Sequence, residues 1–123
     1  MILVDTSVWA DHLRDTEPGL VALLNEGSVL THPFVIEELA CGNLPRRKET
    51  IDLLHALPVA PAVEHAEVLD FIARERLHST GLGSVDVPLM ASARLANAKV
   101  WSKDKALCRE AKRLNLLGGA GPA

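Results

Sequence analysis

The chain opens on Met1-Ile2-Leu3-Val4, an unbroken apolar run that stops at Asp5. A short apolar run bounded by polar cap residues reads as a buried strand of a parallel sheet. Such a strand delivers Asp5 to the C-terminal edge of the sheet, where open α/β sheets bind ligands. Thr6 or Ser7 can then cap a helix through Val8-Trp9-Ala10-Asp11-His12-Leu13. Alone, Asp5 could equally be a helix cap; only other carboxylates converging on it would make it a site.

The remaining chain repeats this alternation. Thr16 and Pro18 suit the start of a second helix over 20–26, closed by Gly27. Ser28-Val29-Leu30-Thr31 reads as a strand, and His32-Pro33 opens a helix over 34–41. A further helix covers 45–57. Pro58-Val59-Ala60-Pro61 can form only a short edge strand, because proline is excluded from central strands. A long helix over 63–78 has Ala66, Leu69, Ile72 and Leu77 at helical spacing. The loop Ser79-Thr80-Gly81-Leu82-Gly83-Ser84 leads to a helix over 85–98, then a strand Lys99-Val100-Trp101-Ser102. A last helix runs from 103–105 to about Asn115, and Leu116-Leu117 offers another edge strand. Strands alternating with helices imply an α/β, three-layer domain over 1–117, a parallel sheet of about five strands with helices on both faces. Residues 118–123 read as a disordered tail.

Composition narrows the partners. The chain of 123 residues suits one core, and its net charge of −3 gives no overall basic field. Two Phe, two Trp and no Tyr do not make a stacking platform for single-stranded nucleic acid. Cys41 and Cys108, far apart and in no CxxC pattern, read as buried reduced thiols rather than a disulfide or zinc pair. No run approaches the roughly 20 apolar residues of a membrane span, and no basic segment precedes the first strand. A soluble cytoplasmic protein is the expectation.

Three more acids merit comparison with Asp5. At about 100° per residue, Glu38 falls between Phe34 and Val35 on the margin of its helix's apolar side, whereas Glu37 faces water. Gly42, one turn on, lets a ligand or backbone come close. Asp86 stands at a helix start and shares a face with Leu89, Met90 and Ala93. Asp104 follows the strand at Val100-Trp101-Ser102 and repeats the strand–carboxylate–helix order of Asp5. If those two strands are neighbours, all four acids meet at one sheet edge. Carboxylates crowded together repel. A divalent cation relieves that, and an all-carboxylate set suits Mg²⁺ or Mn²⁺ rather than zinc. Such an ion orients water for phosphoester hydrolysis, with Thr6, Ser7 and Ser102 as supporting hydroxyls.

These stretches resemble the PIN-domain ribonucleases, specifically the VapC toxins of toxin–antitoxin pairs. Ile2-Leu3-Val4-Asp5-Thr6-Ser7-Val8-Trp9 is similar to the family's opening motif. Phe34 to Gly42 resembles the second motif with its acid at Glu38, Gly83 to Ala93 the third with Asp86, and Trp101 to Leu107 the fourth with Asp104. The resemblance covers nearly the whole chain. It implies a PIN fold, Mg²⁺-dependent endonucleolytic cleavage of RNA such as tRNA or rRNA, a VapB-type antitoxin and a homodimer. Departures are Ser84 where Trp is common, Val87-Pro88 where Ala-His is frequent, Ser102 for Thr and Glu37 for Gly. None removes an acidic ligand.

An acidic site must still hold a polyanion, and Arg46, Arg47, Lys103 and Lys105 are the candidate RNA-gripping cations. The five histidines are scattered and read as non-catalytic; Trp9 reads as core or dimer interface. Two other functions compete: a non-catalytic PIN-type RNA- or protein-binding module, and a phosphatase with Asp5 as nucleophile. The latter class places a second Asp where Ser7 stands.

Overall fold

The computed structural model describes residues 1–119. Three parallel strands form its centre: β1 (Ile2–Val4), β2 (Val29–Leu30) and β3 (Lys99–Trp101), in the order β2-β1-β3. Seven helices connect and cover them: α1 (Thr6–Arg14), α2 (Pro18–Asn25), α3 (Pro33–Ala40), α4 (Arg47–Ala56), α5 (His65–Arg74), α6 (Asp86–Leu95) and α7 (Lys105–Arg113). Leu3 faces Leu30 on one side and Val100 on the other, and Val4 pairs with Trp101. The neighbouring strands required for Asp5 and Asp104 to meet are therefore β1 and β3.

The five-strand sheet appears as three strands with one bridging residue pair beyond each edge, Thr31 with Val59 and Val100 with Leu117. Chemistry explains why these edges stay short. Val59 lies between Pro58 and Pro61, which cannot donate to a ladder. Past Leu117 come Gly118 and Gly119. Gly118, assigned by the sequence to the tail, still donates its N–H to Val100 O at 2.9 Å. A Cβ there would lie 2.6 Å from that of Lys99, so only glycine fits. The rest of the expected tail, 120–123, lies outside the described residues.

The core follows the apolar runs. Leu3, Val4, Val8, Val100 and Leu107 are fully buried, and Trp9 is a core residue. Helix α6 packs on β1, β3 and α5 and is buried more completely than its predicted apolar face: Val87 to Ala93 are all buried, Ser92 included. Helices α1, α3 and α4 pack in succession.

Several helices end earlier than periodicity suggests, by one recurring device. After α5, Arg76 turns left-handed at φ 53° and the Leu77 N–H bonds Ile72 O at 3.0 Å. Asn97 after α6 and Asn115 after α7 do the same, with Ala98 and Leu116 completing the bonds. These are Schellman ends, which pay a left-handed residue to turn the next side chain inward. Leu77, Ala98 and Leu116 are accordingly buried. Gly27 ends α2 in this way at φ 69°, in keeping with its expected role.

Cysteine burial departs from expectation. Cys41 is exposed and Cys108 half-buried, both free. Cys41 follows the last turn of α3, where its apolar neighbours turn inward and it does not.

Candidate active site

Asp5 ends β1 and occupies the N-cap position of α1, yet its side chain caps nothing. It is 5% exposed, and Oδ2 instead accepts two hydroxyls, Ser7 Oγ at 2.8 Å and Ser102 Oγ at 2.7 Å. Each hydroxyl has one proton, and both are directed to Asp5. The 3.3 Å approach of Ser7 Oγ to Ser102 Oγ is then a contact rather than a bond. Each serine accepts a backbone N–H in turn, Lys103 to Ser7 and Asp104 to Ser102, both at 3.0 Å. Backbone amides thus polarise the hydroxyls that hold Asp5.

Glu38 reaches the same edge from α3. Its Oε1 accepts the Thr6 hydroxyl at 2.6 Å, tying α3 to the first residue of α1. Glu37 instead lines a groove between α3 and α4 with Arg47 and Lys48, and both acids are exposed. Asp104 caps α7: its Oδ2 accepts the Leu107 N–H at 2.9 Å. Asp86 is the first residue of α6 rather than its cap, and its Oδ2 reaches back to accept the Gly83 N–H at 2.8 Å.

Three of these acids act electrostatically on the fourth. Burial pushes the Asp86 carboxyl above its usual range. The carboxylates of Asp5, Asp104 and Glu38 push it further, while the Gly83 N–H pulls it partly back. Nearby, Cys108 donates its thiol to Ser102 O at 3.1 Å, and burial, then Asp104 and Asp5, raise it. This mutual repulsion is what a hard cation offsets. As they stand, no three of the described His, Cys, Asp or Glu side chains close into a metal cage. A Mg²⁺ site needs none: that ion keeps several waters and takes one or two carboxylates plus substrate phosphate oxygens. All-oxygen donors, one of them destabilised by its neighbours, fit such an ion.

The four cations proposed to grip RNA are placed unequally. Lys103 Nζ pairs with Asp11 at 2.9 Å and Glu17 at 3.3 Å, binding the start of α7 to α1 and α2. Arg47 donates to Ala40 O at 2.6 Å and closes the end of α3. Arg46 pairs with Glu49 at 3.3 Å on the surface. Lys105 forms no ion pair among the described residues and is exposed.

Two site features escaped the sequence. Gly83 holds Asp86 through its N–H; its position three residues before the acid was the available signal. His32 caps α3, its Nδ1 accepting the Phe34 N–H at 3.0 Å, and burial lowers its pKa. Only the His32-Pro33 order hinted at that. Among the described residues no helix is long and apolar enough to cross a membrane.

An open parallel sheet that gathers acids from two adjacent strand ends and two flanking helices defines an α/β domain with an acidic, cation-suited centre. The chain belongs to the PIN-domain family, matching it over residues 2–113, and within it to the VapC ribonucleases. It is 48% identical over 108 residues to Ribonuclease VapC32 of Mycobacterium tuberculosis in two strains, covering 87% of each chain. Two crystal structures share its fold. FitAcB from Neisseria gonorrhoeae matches at a TM-score of 0.61 and 20% identity, over 91% of this chain and 94% of that one. PAE2754 from Pyrobaculum aerophilum matches at 0.60 and 14%, over 89% and 78%. At such identities these two speak to the fold alone.

Proposed function

We propose that this chain is a Mg²⁺-dependent endoribonuclease toxin, with Mn²⁺ able to substitute. It hydrolyses RNA phosphodiester bonds at the site formed by Asp5, Glu38, Asp86 and Asp104. The observation that carries this reading is the Ser102 bridge, which accepts the Asp104 N–H and donates to Asp5 at 2.7 Å, so that the two acids stand at the ends of adjacent strands. The ribonuclease name of its mycobacterial relative supports RNA as the substrate.

When bound, a hard divalent cation lowers the pKa of water and offsets charge on a phosphate oxygen. The chain's own groups do the rest. Ser7 and Ser102 fix the orientation of Asp5 by both donating to Oδ2. Thr6 holds Glu38 toward the same space. Asp104 keeps one oxygen on the α7 cap and offers the other. Asp86, half-buried, keeps its orientation through Gly83. A carboxylate of this set can take the proton of the attacking water. Exposed Lys105, at the start of α7, is placed to meet the RNA backbone.

A VapB-type antitoxin restrains the activity in this reading, and the working unit is a homodimer acting on tRNA or rRNA. The test is cleavage of total RNA by purified protein with Mg²⁺, with Mn²⁺ and with EDTA. Cleavage that persists in EDTA, or that is unchanged in Asp5→Asn and Asp86→Asn, overturns the mechanism. Co-expression with the adjacent small gene product tests restraint, and light scattering of the purified protein tests the dimer.

A further inference from the structure

A cleft of about 440 Å³ lies between α1 and the turn after α3 and shares Thr6 and Glu38 with the acidic site. Its inner end is made by Thr6 and Glu38, the pair already joined at 2.6 Å. Leu13, Leu39 and Leu44 supply apolar lining, and Arg14, Gly42 and Asn43 line it as well. Gly42 is the residue whose lack of a side chain marked a place for close approach. Here it lines the cleft without adding a side chain.

The lining chemistry suits a heterocycle: aliphatic side chains able to pack on its faces and polar groups able to meet its edges. A site holding an RNA phosphate must also accommodate what is bonded to that phosphate. The neighbouring base lies one sugar away from that phosphate, and this cleft shares Thr6 and Glu38 with the acidic site. The chain has no exposed aromatic in this cleft to stack upon, so the grip is by aliphatic packing. The Asn43 amide, both donor and acceptor, is the group able to read a base edge.

Resting on the ribonuclease reading, we infer that this cleft is a nucleobase subsite. It receives one unstacked base of the nucleotide beside the scissile phosphate, packed against Leu13 and Leu44 and read by Asn43. A base inside a stacked duplex cannot enter it, so the enzyme acts where that nucleotide is splayed out of its stack.

Two arms test this separately from catalysis. In the first, the four ribonucleoside 5′-monophosphates are titrated in EDTA against protein with labelled leucine methyls. At least one nucleotide is expected to shift Leu13, Leu44 and the Asn43 side-chain amide, and Gly42→Val, which narrows the cleft, should abolish the shifts. In the second, a cleaved oligonucleotide is compared with its abasic counterpart at each position flanking the cut. Wild type should lose about tenfold in kcat/KM at one position, the scale of a lost base contact, and Gly42→Val should be indifferent to that change. Asn43→Ala, an exposed substitution that leaves the core untouched, should alter which base is preferred. The subsite is overturned if no nucleotide moves the leucine methyls, or if abasic and intact substrates are cut equally. Shifts at the cleft without any metal-dependent cleavage would retain the subsite and sink the ribonuclease reading. Cleavage indifferent to the abasic change would do the opposite. Protection of the leucine methyls by the antitoxin alone, with no nucleotide effect, would assign the cleft to a protein side chain and reject the base.

Discussion

The Ser102 hydroxyl donates to Asp5 Oδ2 across 2.7 Å, joining the ends of β3 and β1 at the point where the acids meet. The bond crosses 97 positions of sequence but only one strand spacing of the sheet. Its donor is itself anchored, because Ser102 Oγ accepts the Asp104 N–H. One hydroxyl therefore sets the orientation of one acid and is positioned by the backbone of another.

Ser102→Ala removes that orientation without removing a charge. Loss of a group holding a metal ligand costs about 10–100-fold in metal affinity or activity. Calorimetric titration with Mn²⁺ and cleavage kinetics should both fall into that range. Ser7→Ala should do the same, and the double variant should cost less than the product, since both hydroxyls hold one oxygen. Unchanged Mn²⁺ affinity in both would show that Asp5 needs neither.

Asp86→Asn should stabilise the metal-free protein while ending cleavage. The Asp86 carboxyl is raised from an ordinary 3.8 by burial and by Asp5, Asp104 and Glu38. A raised folded pKa means that the folded state binds the proton more tightly than the unfolded one. Its contribution is full below 3.8 and is lost as pH rises through the raised value. Thermal melts in EDTA should show the variant ahead at neutral pH, with the lead vanishing in acid. Mg²⁺ should stabilise wild type more than the variant. A variant that melts below wild type at neutral pH in EDTA would contradict this.

Lys103→Ala and Lys105→Ala should separate. Lys103 is engaged by Asp11 and Glu17, so its loss should lower the melting temperature slightly and leave the salt dependence of RNA binding unchanged. Lys105→Ala should weaken binding for all sequences and reduce the salt slope by about 1. Filter binding of an inactive variant over a salt series reads both.

Glu110 lies buried in α7 between Arg109 and Arg113, whose guanidiniums bond it at 2.9 Å each. Arg109 also donates to Thr80 O and Arg113 to Glu75 O, so this acid braces the segment leading to Gly83. Its carboxyl is held below the ordinary 4.5, first by Arg109 and then by Arg113. That contribution is present above 4.5 and is lost as pH falls through the depressed value. Glu110→Gln should melt earlier at neutral pH and converge on wild type in acid. A constant gap across pH would assign the loss to packing instead.

Local chemistry made much of this legible. Strand, carboxylate and helix follow one another at both Asp5 and Asp104, and cap preferences are short-range. The choice of Glu38 over Glu37 needed only helical geometry. What escaped depends on distant partners. Whether Lys103 meets RNA or Asp11 is decided by the placement of α1 against α7. The end of α5 at Arg74 depends on Leu77 finding a place in the core, which periodicity extends straight through. Cys41 shows the same limit, since apolar neighbours do not say which way a helix end turns. The nearly complete burial of α6 reflects its place against two strands and another helix, which its mixed sequence of Ser92, Pro88 and alanines does not announce.

Asp104 caps α7 with one oxygen, and in the proposed function it also serves the acidic centre. Asparagine caps a helix about as well as aspartate, but it is a poor partner for a hard cation. A single-nucleotide change at this codon would therefore disarm the protein while leaving its architecture and surface intact. If an antitoxin restrains this chain as proposed, a lineage carrying the change would keep a silent copy that still occupies it, lowering the threshold at which active copies escape restraint.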